Sequence, residues 1–227
     1  MGGRKTFPIT ARPRRVRLLP MRRKNPNSGR NVARFYAQTC GWTKHDARKA
    51  MRATKKGVPG AVSSRRSMTV EEQRTWERQV QHEQPVLRAA LRFALASGLR
   101  VSELVKVHAD DLHATHLSVL GKGQKFRDVP ITPDMRRVLR DLPSHGYLFP
   151  GAGADGHISA ATVEAACRRI GQRAPALAWV TPHVLRHTYT TRQVEACRDP
   201  QWIKDALGHN SIKTTLVYIG ALGFDRG

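Results

Sequence analysis

His183-Val-Leu-Arg186 follows Thr181-Pro182, a hydroxyl that can cap a helix and a proline suited to its first turn. In that setting imidazole and guanidinium lie on one face beside a helix N-terminus, where backbone N–H groups favour an oxyanion or a phosphate. The spacing alone carries little. His45-Asp-Ala-Arg48 repeats it within a basic run, where a solvated face is the simpler reading. Other residues with chemical potential have plain alternatives when taken singly. Arg100, just after Gly98, reads as a helix C-cap or a surface charge. Lys122, between Gly121 and Gly123, reads as the tip of a hairpin, although flanking glycines also let a backbone approach a partner closely. His209 follows Leu207-Gly208 at a junction between two helices, and Tyr218 reads as a half-buried packing residue.

Chain order changes the weight of these residues. The sequence runs Gly98-Leu-Arg100-Val-Ser-Glu-Leu, then Leu120-Gly-Lys122-Gly-Gln-Lys-Phe-Arg-Asp-Val-Pro, then His183-Val-Leu-Arg186-His-Thr, then Leu207-Gly-His209, with Tyr218 nine residues later. Five motifs in this order and at these intervals resemble the catalytic domain of the tyrosine recombinases, the phage integrase family, across residues 67–227. Leu148-Phe-Pro150 and the segment from Ser159 to Ile170 are similar to further landmarks of that family. The resemblance implies catalytic roles for Arg100, Lys122, His183, Arg186, His209 and Tyr218. His187 lies beside the signature without a matched role and supports the helix.

The implied chemistry suits the residue types. A phosphodiester is anionic, and its transition state spreads charge over the non-bridging oxygens, which the permanently charged forks of Arg100 and Arg186 can hold. Tyr218 would attack as nucleophile and form a 3′-phosphotyrosine that conserves the bond for rejoining. Lys122 would protonate the leaving 5′-oxygen, His183 would assist proton transfer at the tyrosine, and His209 would hydrogen-bond the phosphate. Glu103, one turn from Arg100, reads either as its orienting partner or as a surface ion pair. The constellation holds no carboxylate cluster and no nucleotide-binding loop, so neither metal nor ATP is implied and no cofactor is expected.

Elements that would position these residues are legible from caps and periodicity. Thr69-Val-Glu-Glu72 is a capping box opening a helix to about Gln81, and Pro85 and Gly98 frame the next. A turn or two follows over Val101–Val107. His116–Leu120 and Arg127–Ile131 alternate as strands around the Gly121–Lys125 connection. Further helices are expected at Pro133–Asp141, Ala160–Arg173, Pro182–Glu195, Pro200–Leu207 and Ile212–Ile219. The expected fold is mainly α with a small antiparallel β-sheet.

Charge divides the chain. Residues 1–66 hold nineteen Lys/Arg and one acid, Asp46, whereas residues 67–227 hold twenty-one bases and sixteen acids. The expected organisation is a basic N-terminal arm over 1–66, with a partial or reduced core-binding region, followed by a catalytic domain over 67–227. Val32, Phe35, Tyr36 and Trp42 form a candidate apolar patch in the arm, and Thr43-x-x-Asp46 is a variant capping box there. A net charge of +23 over 227 residues points to a polyanion partner, a nucleic acid, and the family resemblance implies that it is double-stranded DNA. The apolar stretch around Val86–Leu99 is broken by Arg88 and Arg92, so no membrane span or membrane partner is expected. Three cysteines, Cys40, Cys167 and Cys197, argue by their odd number against a disulfide framework and for a reducing, cytoplasmic setting, nucleoid-associated when DNA is bound.

The functional expectation is a site-specific recombinase, integrase or resolvase that cleaves and rejoins DNA. Two rivals remain at this level: a relaxing enzyme of the type IB topoisomerase kind, and a DNA-binding accessory or regulatory protein that keeps the fold without strand exchange. The three glycines after Tyr218 disfavour a tail helix that docks on a neighbour. A free monomer that assembles on DNA is therefore expected, with an accessory bending or directionality factor as a further candidate partner.

Overall fold

The computed structural model describes residues 35–43, 45–46, 66–121, 126–209 and 215. Its elements in chain order are α1 (Val70–Val80), α2 (Pro85–Ser97), α3 (Val101–Leu104), β1 (His116–Leu120), β2 (Phe126–Pro130), α4 (Pro133–Leu139), α5 (Ala160–Arg173), α6 (Pro182–Glu195) and α7 (Pro200–Leu207). Short 3₁₀ turns occupy Ala109–Asp111 and Pro175–Leu177.

Local chemistry sets most helix starts. The Thr69 hydroxyl accepts from the Glu72 N–H at 3.1 Å while the Glu72 carboxylate accepts from the Thr69 N–H at 2.8 Å, so two N-terminal donors of α1 are satisfied reciprocally. Thr132, Ser159, Thr181 and Asp199 cap α4, α5, α6 and α7, and proline follows three of these four caps. Helix α2 is the hub. It packs against α1, α4, α5 and α6, and its Leu87, Ala90, Leu91, Phe93 and Ala94 are buried in a core shared with Trp76, Leu104, Phe149, Ile170 and Leu185. Removing this contiguous apolar surface from water is the main drive that assembles the helices.

The two strands pair antiparallel with Leu117 opposite Val129, Val119 opposite Arg127 and Leu120 opposite Phe126. Leu117, Val119 and Val129 are buried, so Arg127 shares the inward face, whereas Leu120 and Phe126 stand outward. Strand β2 also packs against α7. The second strand thus begins at Phe126, one residue earlier than the alternation predicts, because register extends the ladder to the Leu120–Phe126 pair. Helix α4 ends at Leu139, two residues short of the expected end. The expected Ile212–Ile219 helix lies outside the described residues except for Thr215, which is helical and buried.

One expectation is overturned. Cys40 and Cys197 form a disulfide across 157 residues, with Cα atoms 5.5 Å apart, and buried Cys167 is the free thiol. An odd cysteine count leaves one unpaired; it does not prevent the other two from meeting. Packing brings them together: Tyr36, fully buried, donates its hydroxyl to the Arg198 carbonyl at 2.8 Å and packs its ring, tilted, against Trp42. The candidate apolar patch of the arm is therefore docked, through Phe35 and Tyr36, where α6 passes to α7. The Thr43 hydroxyl accepts from the Asp46 N–H at 3.0 Å, as the variant capping box requires.

Candidate active site

Two helix exits build the centre of the site. Helix α2 closes on Gly98 with φ +65°, and a Cβ there would lie 2.3 Å from the Tyr189 ring, so both conformation and space call for glycine. The Gly98 carbonyl accepts from Arg186 Nη1 at 2.7 Å. Arg186 Nη2 donates to the carbonyl of Leu207 at 2.7 Å, and the side chain is buried against both exits. Arg100, two residues after Gly98, donates from Nη2 to the next carbonyl, Gly208, at 3.3 Å. Two guanidinium groups therefore grip consecutive carbonyls of one turn, and His209 follows directly. Its Nδ1 is hydrogen-bonded to the Thr215 hydroxyl at 3.0 Å.

The electrostatics follow from that crowding. Burial, and then the positive charges of Arg186, Arg100, Arg127 and Lys204, push the His209 imidazole down to about 3. It is neutral at physiological pH, able to hydrogen-bond a phosphate without adding charge. The structure thus brings Arg100, Arg186 and His209 together. His183 stands exposed in the first turn of α6, one turn before Arg186. Lys122 and Tyr218 lie outside the described residues.

Glu103 is not a surface ion pair. Its side chain is 6 % exposed, and its Oε1 accepts from Arg100 Nη1 at 2.8 Å while Oε2 accepts from the Arg100 backbone N–H at 2.9 Å. A second cation completes the contact: Arg127 donates from Nη1 to Oε1 at 3.0 Å and from Nη2 to Oε2 at 2.8 Å. Burial alone would raise the Glu103 carboxyl, but Arg127, the Arg100 backbone and the Arg100 guanidinium together hold it below its ordinary range. Arg127 was not singled out by sequence. The available signal was its alternation with Val129, which puts a cation on the buried face of a strand.

These groups open on a cleft of about 1140 Å³ lined by Arg100, Lys106, Arg127, Lys204 and His209, with Leu120 and Phe126 on its wall. The combination of cationic forks, a neutral imidazole and helix-end carbonyls that fix them can hold a phosphate and stabilise charge developing on its oxygens. Among the described residues no three His, Cys, Asp or Glu side chains gather as metal ligands. No helix among them is long and apolar enough to cross a membrane.

Comparison with known proteins identifies the family and the fold. The model of the phage integrase family matches residues 70–222. A putative integrase/recombinase, y4eF of Sinorhizobium fredii (strain NBRC 101917 / NGR234), is 36% identical over 138 residues, covering 58% of this chain and 55% of its own. The tyrosine recombinase XerC of Xylella fastidiosa (strain M23) is 37% identical over 139 residues, covering 58% of this chain and 47% of its own. The chain thus spans about half the length of the curated relatives it matches. Among solved structures, XerA recombinase superposes with a TM-score of 0.58 at 22% identity, over 84% of this chain and 76% of that one. The Tn1549 transposon integrase in complex with transposon right end DNA gives 0.55 at 17% identity, over 84% and 78%. At these identities the superpositions establish the fold, a mostly helical domain with a small antiparallel sheet.

Proposed function

The chain belongs to the phage integrase family, and from that premise we propose that it is a site-specific DNA recombinase that cleaves and rejoins strands through a 3′-phosphotyrosine. The observation that carries the proposal is the pair of guanidinium groups, Arg100 and Arg186, fixed on the consecutive carbonyls of Gly208 and Leu207 beside neutral His209. A phosphodiester entering the cleft would meet two charged forks whose stems are already ordered, so little reorganisation is needed as charge develops in the transition state. Tyr218 is the proposed nucleophile. Lys122 is the proposed acid for the 5′-oxygen, and exposed His183 the proposed relay for the tyrosine proton. His209 donates a hydrogen bond to the phosphate without competing for charge.

The partner is double-stranded DNA. The basic segment 1–66 supplies phosphate contacts as an arm attached to the catalytic domain over 67–227. The free protein is a monomer that assembles on DNA in the cytoplasm. Binding to the polyanion relieves the repulsion that a net charge of +23 imposes between free protomers.

The nucleophile provides the direct test. Tyr218→Phe is expected to bind target DNA as the parent does and to give no covalent adduct on a suicide substrate in buffer containing a chelator. An adduct formed by the variant would exclude Tyr218 and the mechanism with it.

A further inference from the structure

Arg127 is a cation in an unusual position. It lies on the inward face of β2, its side chain is 13 % exposed, and it contributes to the cleft from behind Glu103. Three of its nitrogens are engaged: Nη1 and Nη2 on the two Glu103 oxygens, and Nε on the Ala206 carbonyl at 3.3 Å. Gly208 makes room for it, since a Cβ there would lie 2.8 Å from Arg127 Cδ. One side chain thus ties strand β2 to α3 and to the end of α7, the three elements that meet at the site.

The charge balance shows what this accomplishes. Arg100 and Glu103 alone form a neutral pair, and a neutral pair offers an anion little net attraction. Arg127 adds a second positive charge, making the triad net positive. It also occupies both carboxylate oxygens, so Glu103 stays satisfied when Arg100 turns its fork toward a phosphate. Arg100 is placed to do so: its side chain is 40 % exposed at the cleft, whereas Arg127 is enclosed.

We infer that Arg127 is a positioning residue of the phosphate site, which neutralises Glu103 from behind so that the charge and fork of Arg100 remain available to the anion. The inference rests on the reading of the cleft as a phosphodiester site and goes beyond the family motifs, to which Arg127 was not assigned a role. It makes a prediction that simple packing does not. Removing the positive charge of Arg127 harms anion binding, and removing the negative charge of Glu103 as well restores it.

The test uses the full chain in four forms: parent, Arg127→Gln, Arg127→Lys, and the double variant Glu103→Gln/Arg127→Gln. Inorganic phosphate is titrated while the Arg100 Nε–H resonance is followed by NMR, with assignment by Arg100→Lys, and adduct formation on suicide DNA is measured in parallel. Arg127→Gln is expected to weaken phosphate binding at least about tenfold, the effect of losing one unit charge a few ångströms behind the site. Arg127→Lys, which keeps the charge and the stem, is expected to stay within about threefold of the parent, and the double variant to recover most of the loss. Equal losses in Gln and Lys, a double variant as weak as Arg127→Gln, or a parent that does not bind phosphate at the cleft would each overturn the inference. If the phosphate pattern holds while the parent forms no DNA adduct, the recombinase reading fails and the role of Arg127 stands.

Discussion

Two buried carboxylates in this molecule are each held by two arginines, and they serve different ends. Glu83, on the turn between α1 and α2, accepts from Arg169 at 2.5 Å and Arg173 at 2.7 Å, both on α5. Glu103 accepts from Arg100 and Arg127. Each carboxyl is driven upward by burial and then held below its ordinary range by its arginines. The difference lies in what surrounds the cations. Arg169 and Arg173 are 44 % and 34 % exposed and occupy successive turns of one helix, so the Glu83 cluster fastens α5 to the α1–α2 corner. In the Glu103 cluster one arginine is enclosed and the other faces a cleft that His209 also lines. An ion-pair motif therefore says little about function until the destination of its spare charge is known.

The largest expected separation between the clusters is in catalysis. Glu103→Ala should lower single-turnover adduct formation by at least ~10²-fold, the scale of losing one preorganised transition-state contact, because Arg100 loses two of its three fixed bonds. Glu83→Ala, measured where it remains folded, should stay within about threefold, as expected for a site that does not touch the reacting groups. Comparable losses in both variants would erase the distinction and make the Glu103 cluster a packing device.

Stability should separate them less, and in the same order. Removing Glu83 leaves two half-exposed arginines that can turn into water, a cost of about 1 kcal/mol. Removing Glu103 strands Arg127, which has few routes to solvent, and should cost about 3 kcal/mol, the lower end of the range for breaking a buried pair. Urea unfolding of both variants at pH 7 measures the gap. A Glu83→Ala loss equal to or larger than that of Glu103→Ala would show that exposure of the cations is not what sets the cost.

How these features read from sequence depends on the range of the interactions. Helix ends were legible because their causes are local: Thr69 with Glu72, Pro85, Thr181 before Pro182, Pro200, and the exits at Gly98 and Gly208. Arg100, Arg186 and His209 were found through ordered motifs, and their convergence depends on carbonyls 88 and 21 residues from Arg186. Glu103 was seen as a neighbour of Arg100, yet its burial depends on Arg127, 24 residues away on a strand whose polarity is inverted. There the arginine faces in, and Phe126, at 70 % exposure, faces out. Such inversions are expected at functional sites, where local patterning yields to chemistry. The Cys40–Cys197 bridge was misjudged for a related reason: counting cysteines ignores the packing of Tyr36 that sets their distance.

Acid should expose one further difference, smaller than the others. Both carboxylates have lowered folded values, so each contributes stability that is present above the ordinary carboxylate range and lost as pH falls through its folded value. The cleft adds His209, whose folded value of about 3 lies well below the ordinary value of about 6.5. Between those two pH values the unfolded chain takes up a proton that folded His209 refuses. Stability must therefore fall as pH drops from about 6.5 toward 3, by roughly 1–2 kcal/mol at pH 5 from this residue. Because the Glu83 cluster has no counterpart to this buried imidazole, Glu83→Gln should leave the change between pH 7 and pH 5 as it is in the parent. His209→Asn should flatten it, although the variant starts from lower stability because the hydrogen bond to Thr215 is altered. Urea midpoints at pH 7, 6 and 5 for the three proteins decide the matter. If His209→Asn keeps the parental slope, folded His209 takes up its proton near the ordinary value of about 6.5, and below that pH the cleft carries one more positive charge than the arrangement of Arg100, Arg127 and Arg186 around it implies.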